Sequence, residues 1–218
     1  LLELGIYGNF ATILLNGKFS QDETLVRTYF RQIVDGLEHL HSKGISHLNL
    51  KPESLFLCDN YVLKIGNFSS SHSSDEKGPI TVKGTKNFRA PEIKNMECQD
   101  PKAADIFSLG IILFVLKYNM LPYYEDERVK GYDLYDTLLN SSFVFWEIYL
   151  QCREKKIEVD EDFNQLFMGM VKKDPKERLT IAQIKESYWY NGEIYEQKDL
   201  KYVMGAKLGI TSPYKAHH

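Results

Sequence analysis

The chain has 218 residues, of which 43% are hydrophobic and 13% aromatic, and its formal net charge is -3 at pH 7. This content is enough to bury a sizeable core within one domain. The slightly negative charge offers no reason to expect nucleic acid or an anionic membrane as a partner.

Cysteine usage and hydropathy indicate an intracellular protein. The three cysteines, Cys58, Cys98 and Cys152, are odd in number and follow no metal-binding or disulfide spacing. The first residues show no signal-peptide pattern, and the apolar run around residues 111–116 is too short to span a bilayer. We therefore predict reduced thiols and a cytoplasmic location, and we assign no metal ligands.

The first long element is predicted to be an amphipathic helix. Residues 20–23 read S-Q-D-E, which is a capping-box pattern, and apolar residues follow at helical spacing over 25–40 until Gly44 supplies a stop. Residues 55–57 and 61–65 then form a pattern typical of a short β-hairpin.

The second half of the chain is predicted to be mostly helical. Asp100 and Pro101 supply a cap and a first-turn proline for a helix over 103–116, which is apolar on nearly every face and is therefore expected at the domain centre. A further amphipathic helix is expected over 163–171, and T-I-A-Q at 180–183 is a second capping box.

The most informative stretch is H-L-N-L-K-P-E-S-L at residues 47–55, followed by K-I-G-N-F-S at 64–69. It resembles the protein kinase pattern H-R-D-L-x-x-x-N and D-F-G, in which the first Asp accepts the substrate proton while the Asn and the second Asp hold magnesium. Asn49, Ser54 and Asn67 stand at those three positions. An amide cannot act as a general base near neutral pH and magnesium prefers anionic oxygen, so the resemblance implies poor catalysis.

Other landmarks of the protein kinase family occur in the same order. They are L-E-L at residues 2–4, G-T and A-P-E within 84–92, D-I-F-S-L-G at 105–110, and D-P-x-x-R at 174–178. The chain resembles serine/threonine kinases of the calcium/calmodulin-dependent and SNF1-like type. The resemblance implies an α+β kinase-like fold with the N-lobe absent: a hinge and a mainly helical C-lobe with a short β-hairpin over residues 1–191. Residues 192–218 are predicted to be a polar, irregular extension from about Glu193 onward.

The resemblance also implies which residues face the substrate and the nucleotide. Asn49, Lys51 and Thr85 take the catalytic positions, with Lys51 matching the lysine that neutralises the transferred phosphate. The nucleotide-facing positions are Glu3, Gly5, Ser54, Phe56 and Asn67. Phe56 would form the floor beneath the adenine, although an aromatic residue on a strand is equally typical of the core. ATP is the candidate cofactor, and we expect magnesium to bind weakly.

Five further residues are implied to be structural. His47 and Phe68 match packing positions of the family's regulatory spine, and both are expected in the core. Glu92 and Arg178 match a buried ion pair. Asp105 matches the aspartate that accepts backbone hydrogen bonds from the catalytic loop, which explains an acid in an apolar helix.

Leu48 occupies the place where the family has an arginine that receives the phosphate of the activation loop. Leucine cannot form that charge-assisted pair, so switching by activation-loop phosphorylation is not expected. The segment between Asn67 and Glu92 is rich in hydroxyls, which indicates a flexible loop first and a phosphosite cluster second.

Three functional hypotheses follow. The first is a pseudokinase, a scaffold or regulatory module that binds protein partners, and also a nucleotide, without transferring phosphate. The second is a low-activity serine/threonine kinase, for which the retained Lys51 and Thr85 argue. The third is a structural subunit of a larger assembly that docks through the aromatic segments 143–146 and 188–190, although core packing is the expected role of most of these rings.

Overall fold

The computed structural model describes residues 5–15, 19–81, 83–125, 127–152 and 158–209. Nearly half of these residues lie in α-helices. They are α1 Phe10–Leu14, α2 Glu23–Ser42, α3 Pro91–Lys94, α4 Pro101–Tyr118, α5 Leu134–Asn140, α6 Ser142–Gln151, α7 Glu161–Met170, α8 Ile181–Glu186 and α9 Gln197–Lys207. Short 3-10 turns cover Pro52–Ser54, Asp59–Tyr61, Phe68–Ser70 and Pro175–Glu177.

The strands form short antiparallel pairs. They are β1 Ile45–Ser46 with β4 His72–Ser73, β2 Leu55–Leu57 with β3 Leu63–Ile65, and β5 Arg128–Val129 with β6 Tyr132–Asp133. Within the second pair, Phe56 lies opposite Lys64. This pair is the predicted hairpin, and it follows directly on the loop that carries the kinase-like motif.

Helix α2 confirms the predicted amphipathic helix, but its cap differs from the prediction. The side chain of Asp22 accepts a hydrogen bond from the backbone N–H of Leu25 at 3.0 Å, and the helix begins at Glu23. The capping-box prediction based on Ser20 was therefore wrong about the capping residue. Aspartate is as good an N-cap acceptor as serine, and its charge is favourable at a helix N-terminus.

Helix α4 is the buried central helix that the sequence predicts. The carboxylate of Asp100 caps it by accepting from the backbone N–H groups of Lys102 and Ala103. Helices α2 and α7 both pack against it. Gly110 permits the close approach of α7, because a Cβ at this position would come within 2.8 Å of a Val171 methyl group.

The hairpin confirms the first predicted strand and shortens the second. Tyr61 was predicted to begin the second strand, yet it lies in the 3-10 turn, and the strand starts at Leu63. Both Asn60 and Tyr61 have positive φ angles, 57° and 58°. The chain therefore reverses through two residues in left-handed conformations, which are incompatible with a β-strand.

The segment after Asn191 was predicted to be irregular, and this prediction was wrong for Gln197–Lys207, which form helix α9. Helix α9 packs on the turn of the hairpin, and its side chains Leu200 and Met204 are buried. The side-chain amide of Gln197 donates to the carbonyl of Asn60 at 2.6 Å. The capping box ahead of α8 is confirmed, with Thr180 and Gln183 bonded reciprocally.

Most of the aromatic rings in the two late segments are core, as expected. Phe145, Trp146, Trp189 and Tyr190 are buried. Phe143 and Tyr188, by contrast, are 77% and 86% exposed. Among the described residues, no helix combines the length and the apolar character needed to cross a membrane.

Candidate active site

The carboxylate of Asp105 on α4 organises the loop that carries the kinase-like motif. Its Oδ2 accepts from the backbone N–H of His47 at 2.8 Å, and its Oδ1 accepts from that of Leu48 at 2.7 Å. The ring Nε2–H of His41 donates to Oδ2 at 2.9 Å. These three donors satisfy the buried carboxylate in place of water. The same bonds hold the loop backbone against the central helix.

Leu48 is held in a strained conformation at the centre of this arrangement. Its φ angle is 59°, which costs a non-glycine residue of order 1–3 kcal/mol. The hydrogen bonds that the His47 and Leu48 N–H groups donate to Asp105 maintain it. Gly84, with φ 83°, passes directly over this residue, and a Cβ there would lie 2.6 Å from the Leu48 carbonyl oxygen. Residues 83–92, called the far segment below, therefore lie directly against the loop at this point.

His47 is buried, and its two ring nitrogens have different partners. The backbone N–H of Asn49 donates to Nδ1 at 3.2 Å, while Nε2 lies 2.8 Å from the carbonyl oxygen of Gly66. Because the carbonyl can only accept, Nε2 carries the proton and the ring is neutral. Burial lowers the pKa of His47, which outweighs the opposing effects of the Gly66 carbonyl and Asp105.

Asn49 lies at the candidate catalytic position and contacts the far segment. The hydroxyl of Thr85 donates to its Oδ1 at 3.0 Å. Lys51 follows two residues later and is partly buried, and its ammonium group has no hydrogen-bond or ion-pair partner among the described residues. The structure thus brings two of the predicted catalytic residues into contact, and neither can accept a proton near pH 7.

Ser54 is committed to the loop itself. It is fully buried, its hydroxyl donates to the Lys51 carbonyl at 2.8 Å, and it accepts from the Lys51 N–H at 3.1 Å. The sequence-based assignment of Ser54 to the nucleotide face is corrected accordingly. The short side chain reaches its own turn instead of a cofactor, so its role is structural.

Asn67 and Phe68 lie on the exposed side of the loop. Asn67 adopts a left-handed conformation, φ 60° and ψ 64°, which asparagine tolerates better than most residues. Its Oδ1 accepts from the Ser69 hydroxyl at 3.0 Å. Within the described ranges, no cluster of three or more His, Cys, Asp or Glu side chains could hold a metal ion.

Phe68 was predicted to be a core residue, and this is corrected by its 40% exposure. Its ring meets that of His47 edge to face, with centroids 5.4 Å apart. The edge-to-face contact with His47 matches the predicted packing position, whereas the exposure does not match the predicted burial.

Phe56 lies between two glycines. A Cβ on Gly5 or on Gly66 would come within 2.9 Å of the Phe56 side chain, so the absence of side chains at both positions lets the backbone rest on it. Phe56 is partly buried. Gly5 and Phe56, both predicted at the nucleotide face, are therefore neighbours, while Glu3 lies outside the described residues.

Glu92 and Arg178 form a buried, two-pronged ion pair. Arg178 Nη1 and Nη2 lie 2.5 and 2.7 Å from the two carboxylate oxygens of Glu92. The guanidinium also donates to the backbone carbonyls of Ala103, Lys172 and Lys173. The pair joins α3 to the segment before α8.

Sequence reasoning missed a second link between the far segment and the domain. The Glu125 carboxylate accepts from the backbone N–H of Asn87 at 3.3 Å, and the Asn87 side chain accepts from that of Glu125 at 2.6 Å. Asn87 has φ 69°. An asparagine ahead of the A-P-E triplet was a signal for a left-handed residue, but nothing in the sequence identified its partner.

Comparison with known proteins decides the family. The family model described as "Protein kinase domain" matches residues 1–190. The chain belongs to the protein kinase family. Its curated relatives include CBL-interacting protein kinase 26 of Oryza sativa subsp. japonica, 32% identical over 194 residues, and CBL-interacting serine/threonine-protein kinase 8 of Arabidopsis thaliana, 33% identical over 184 residues.

The match covers most of this kinase-family chain and a minor part of each relative. The first alignment spans 87% of the chain and 36% of the rice protein, and the second spans 83% and 38%. The described helices and small strand pairs are consistent with the helical lobe of a kinase domain, as the sequence predicts. Both relatives carry the word kinase in their names.

Proposed function

We propose that this chain is the helical lobe of a pseudokinase, a kinase-fold protein that acts as a scaffold or regulatory module. The observation that carries the proposal is the chemistry of Asn49, Ser54 and Asn67. All three are neutral, and the side chain of each is hydrogen-bonded to a neighbouring residue. No base and no anionic metal ligand is available at these positions.

The expected loss of activity is large. General-base catalysis typically contributes about 10²- to 10⁴-fold to a rate, and Asn49 cannot supply it. Phosphoryl transfer depends further on neutralising the developing charge. Lys51 retains one cation for that purpose, whereas Asn67 and Ser54 provide no carboxylate for magnesium. Magnesium binding is therefore proposed to be weak.

The structural residues support a binding role. Asp105 still holds the loop, and the pair of Glu92 with Arg178 is complete. Such buried polar contacts stabilise the domain only when every partner is present. A chain that keeps them after losing the catalytic groups retains a defined surface for partners.

ATP is the proposed nucleotide, with Phe56 as the surface beneath the base. Gly5, next to the hinge-like residues 2–4, and Gly66, next to Asn67, both lie against this ring, which supports the assignment. The names of the relatives record an interaction with CBL, which supports a protein partner for this chain. We propose a cytoplasmic location, because the number and spacing of the cysteines indicate reduced thiols.

A low-activity serine/threonine kinase is the second candidate. The names of the relatives and the retained Lys51 and Thr85 favour it. Transfer of labelled γ-phosphate by the full-length protein, with magnesium or manganese, separates the two. The pseudokinase proposal predicts no transfer above that of Lys51→Ala, and transfer that Lys51→Ala abolishes would establish the active enzyme instead.

A further inference from the structure

The turn of the β2–β3 hairpin holds two consecutive residues in left-handed conformations. Asn60 and Tyr61 have φ angles of 57° and 58°. Asparagine tolerates this conformation, whereas a bulky aromatic residue is strained in it. Such strain persists only where surrounding contacts maintain it, so the conformation of Tyr61 depends on its neighbours.

The carbonyl groups of both strained residues accept hydrogen bonds from distant parts of the chain. The side-chain amide of Gln197, at the start of α9, donates to the carbonyl of Asn60 at 2.6 Å. The hydroxyl of Tyr29 on α2 donates to the carbonyl of Tyr61 at 3.0 Å. Helix α9 also packs on the turn, and its Leu200 side chain is buried. The turn is therefore supported from one side by α2 and from the other by the last described helix.

The ring of Tyr61 in turn supports residues 5–9, the entry segment. This ring stacks on that of Tyr7, with centroids 4.7 Å apart and an interplanar angle of 20°. The backbone of the entry segment pairs with β2, because the N–H of Tyr7 donates to the Leu57 carbonyl at 3.1 Å and the N–H of Leu57 donates to the Gly8 carbonyl at 3.0 Å. The entry segment is thus held on β2 by its backbone and on the turn by the ring of Tyr7.

The entry segment borders the candidate nucleotide face. A Cβ on Gly5 would lie 2.9 Å from the Phe56 side chain, and Asn9 forms a β-bridge with the backbone of Phe56. A change in how the entry segment lies on β2 therefore changes the surface beside Phe56. Contiguous contacts run from α9 through the turn and Tyr7 to this surface, which is the physical requirement for coupling between separated sites.

We propose that docking of α9 on the hairpin turn controls how firmly the entry segment binds to β2. With α9 docked, Tyr61 keeps its left-handed conformation and its ring supports Tyr7. When α9 leaves the turn, Tyr61 relaxes and the entry segment loosens from β2. A protein partner that captures α9 acts by this route on the surface beside Phe56. The coupling is a property of the chain without a ligand, so it does not rest on the proposed function.

The test is amide hydrogen exchange of the full-length protein, followed by nuclear magnetic resonance at the N–H groups of Tyr7 and Leu57. Leu200→Ala weakens the docking of α9, and Ile184→Ala is the control, because it truncates an equally buried side chain on α8. We expect exchange at both N–H groups to become about 10-fold faster or more in Leu200→Ala and to stay unchanged in Ile184→Ala. Unchanged exchange in Leu200→Ala, or equal acceleration in the two variants, would overturn the proposal.

A milder pair of variants tests the hydrogen bond at the start of α9. Gln197→Glu keeps the length of the side chain and removes its N–H donor, whereas Lys198→Ala changes an exposed neighbour on the same helix. Exchange at Tyr7 should become about 2- to 10-fold faster in Gln197→Glu, as expected for one lost hydrogen bond, and should not change in Lys198→Ala. Equal rates in these two variants would contradict the support of the turn by Gln197.

A double-mutant cycle tests the route through Tyr61. In Tyr61→Ala the ring that stacks on Tyr7 is missing, so exchange at Tyr7 is already fast. Adding Leu200→Ala to this variant should then change the exchange rate by less than about 2-fold, because the contact that transmits the effect is absent. An undiminished effect of Leu200→Ala in the Tyr61→Ala protein would show that the ring does not connect α9 with the entry segment.

Discussion

Replacement of Arg178 by methionine should destabilise the domain strongly. Arg178 is 5% exposed and Glu92 7% exposed, so the substitution leaves a buried carboxylate without its cation. It also removes a donor from the carbonyls of Ala103, Lys172 and Lys173. Breaking one side of a buried pair costs about 3–5 kcal/mol. For a domain of this size that corresponds to a fall in Tm of roughly 6–20 °C.

Urea unfolding of the wild type and the variant measures this loss. Lys185→Met is the matched control, because Lys185 pairs with Asp35 and Glu38 at the surface, where such pairs contribute about 0.2–1 kcal/mol. Glu92→Gln combined with Arg178→Met should cost less than the two single changes together, since no unpaired charge remains. If Arg178→Met costs no more than Lys185→Met, the pair does not hold the far segment as described.

Three further predictions concern other parts of the chain. Burial lowers the pKa of His47 below its usual 6.5, so the unfolded state binds more protons than the folded state. The free energy of unfolding should therefore fall as the pH drops through 6.5. This fall should level off once the pH is below the folded-state pKa. Urea titrations at pH 7 and 5 should show a smaller fall for His47→Phe, and identical falls would exclude this cause. Leu200→Ala in α9 should cost about 2–5 kcal/mol and the exposed Lys201→Ala under about 0.5 kcal/mol, and equal effects in urea unfolding would mean that α9 is not docked. Burial, together with nearby carboxylates, raises the pKa of Cys98 to about 12, so iodoacetamide at pH 8 should modify it far more slowly than free cysteine in a mass-spectrometric time course, and a comparable rate would refute that environment.

Helices with a strong local pattern could be predicted from the sequence. The regular apolar spacing of α2 and the cap and proline of α4 are signals carried by adjacent residues. Helix α9 has no such pattern, because only a few of its side chains, including Leu200 and Met204, are buried. It is stabilised by distant partners such as Asn60, which no local rule identifies.

The role of a site residue could be predicted from the sequence where a known family motif specifies its backbone contacts. The role of Asp105 follows from a known motif and is visible in its bonds to the loop. The local bonding of Ser54 was not predicted. Its short side chain donates a hydrogen bond to the Lys51 carbonyl within the same turn. The partner of Asn87 is Glu125, 38 residues later in the chain, and no local pattern identifies such a distant contact.

Magnesium-dependent ATP binding by the full-length protein tests the central claim most directly. The claim is that asparagine in place of aspartate at positions 49 and 67 accounts for the loss of magnesium binding and phosphoryl transfer. The comparison is between the wild type and the variant in which Asn49→Asp and Asn67→Asp are combined. We expect magnesium to strengthen ATP binding by about 10-fold or more in the variant, and to have little effect in the wild type. A variant with no gain in magnesium-dependent affinity, or a wild type that already binds ATP with strong magnesium dependence, would contradict this explanation.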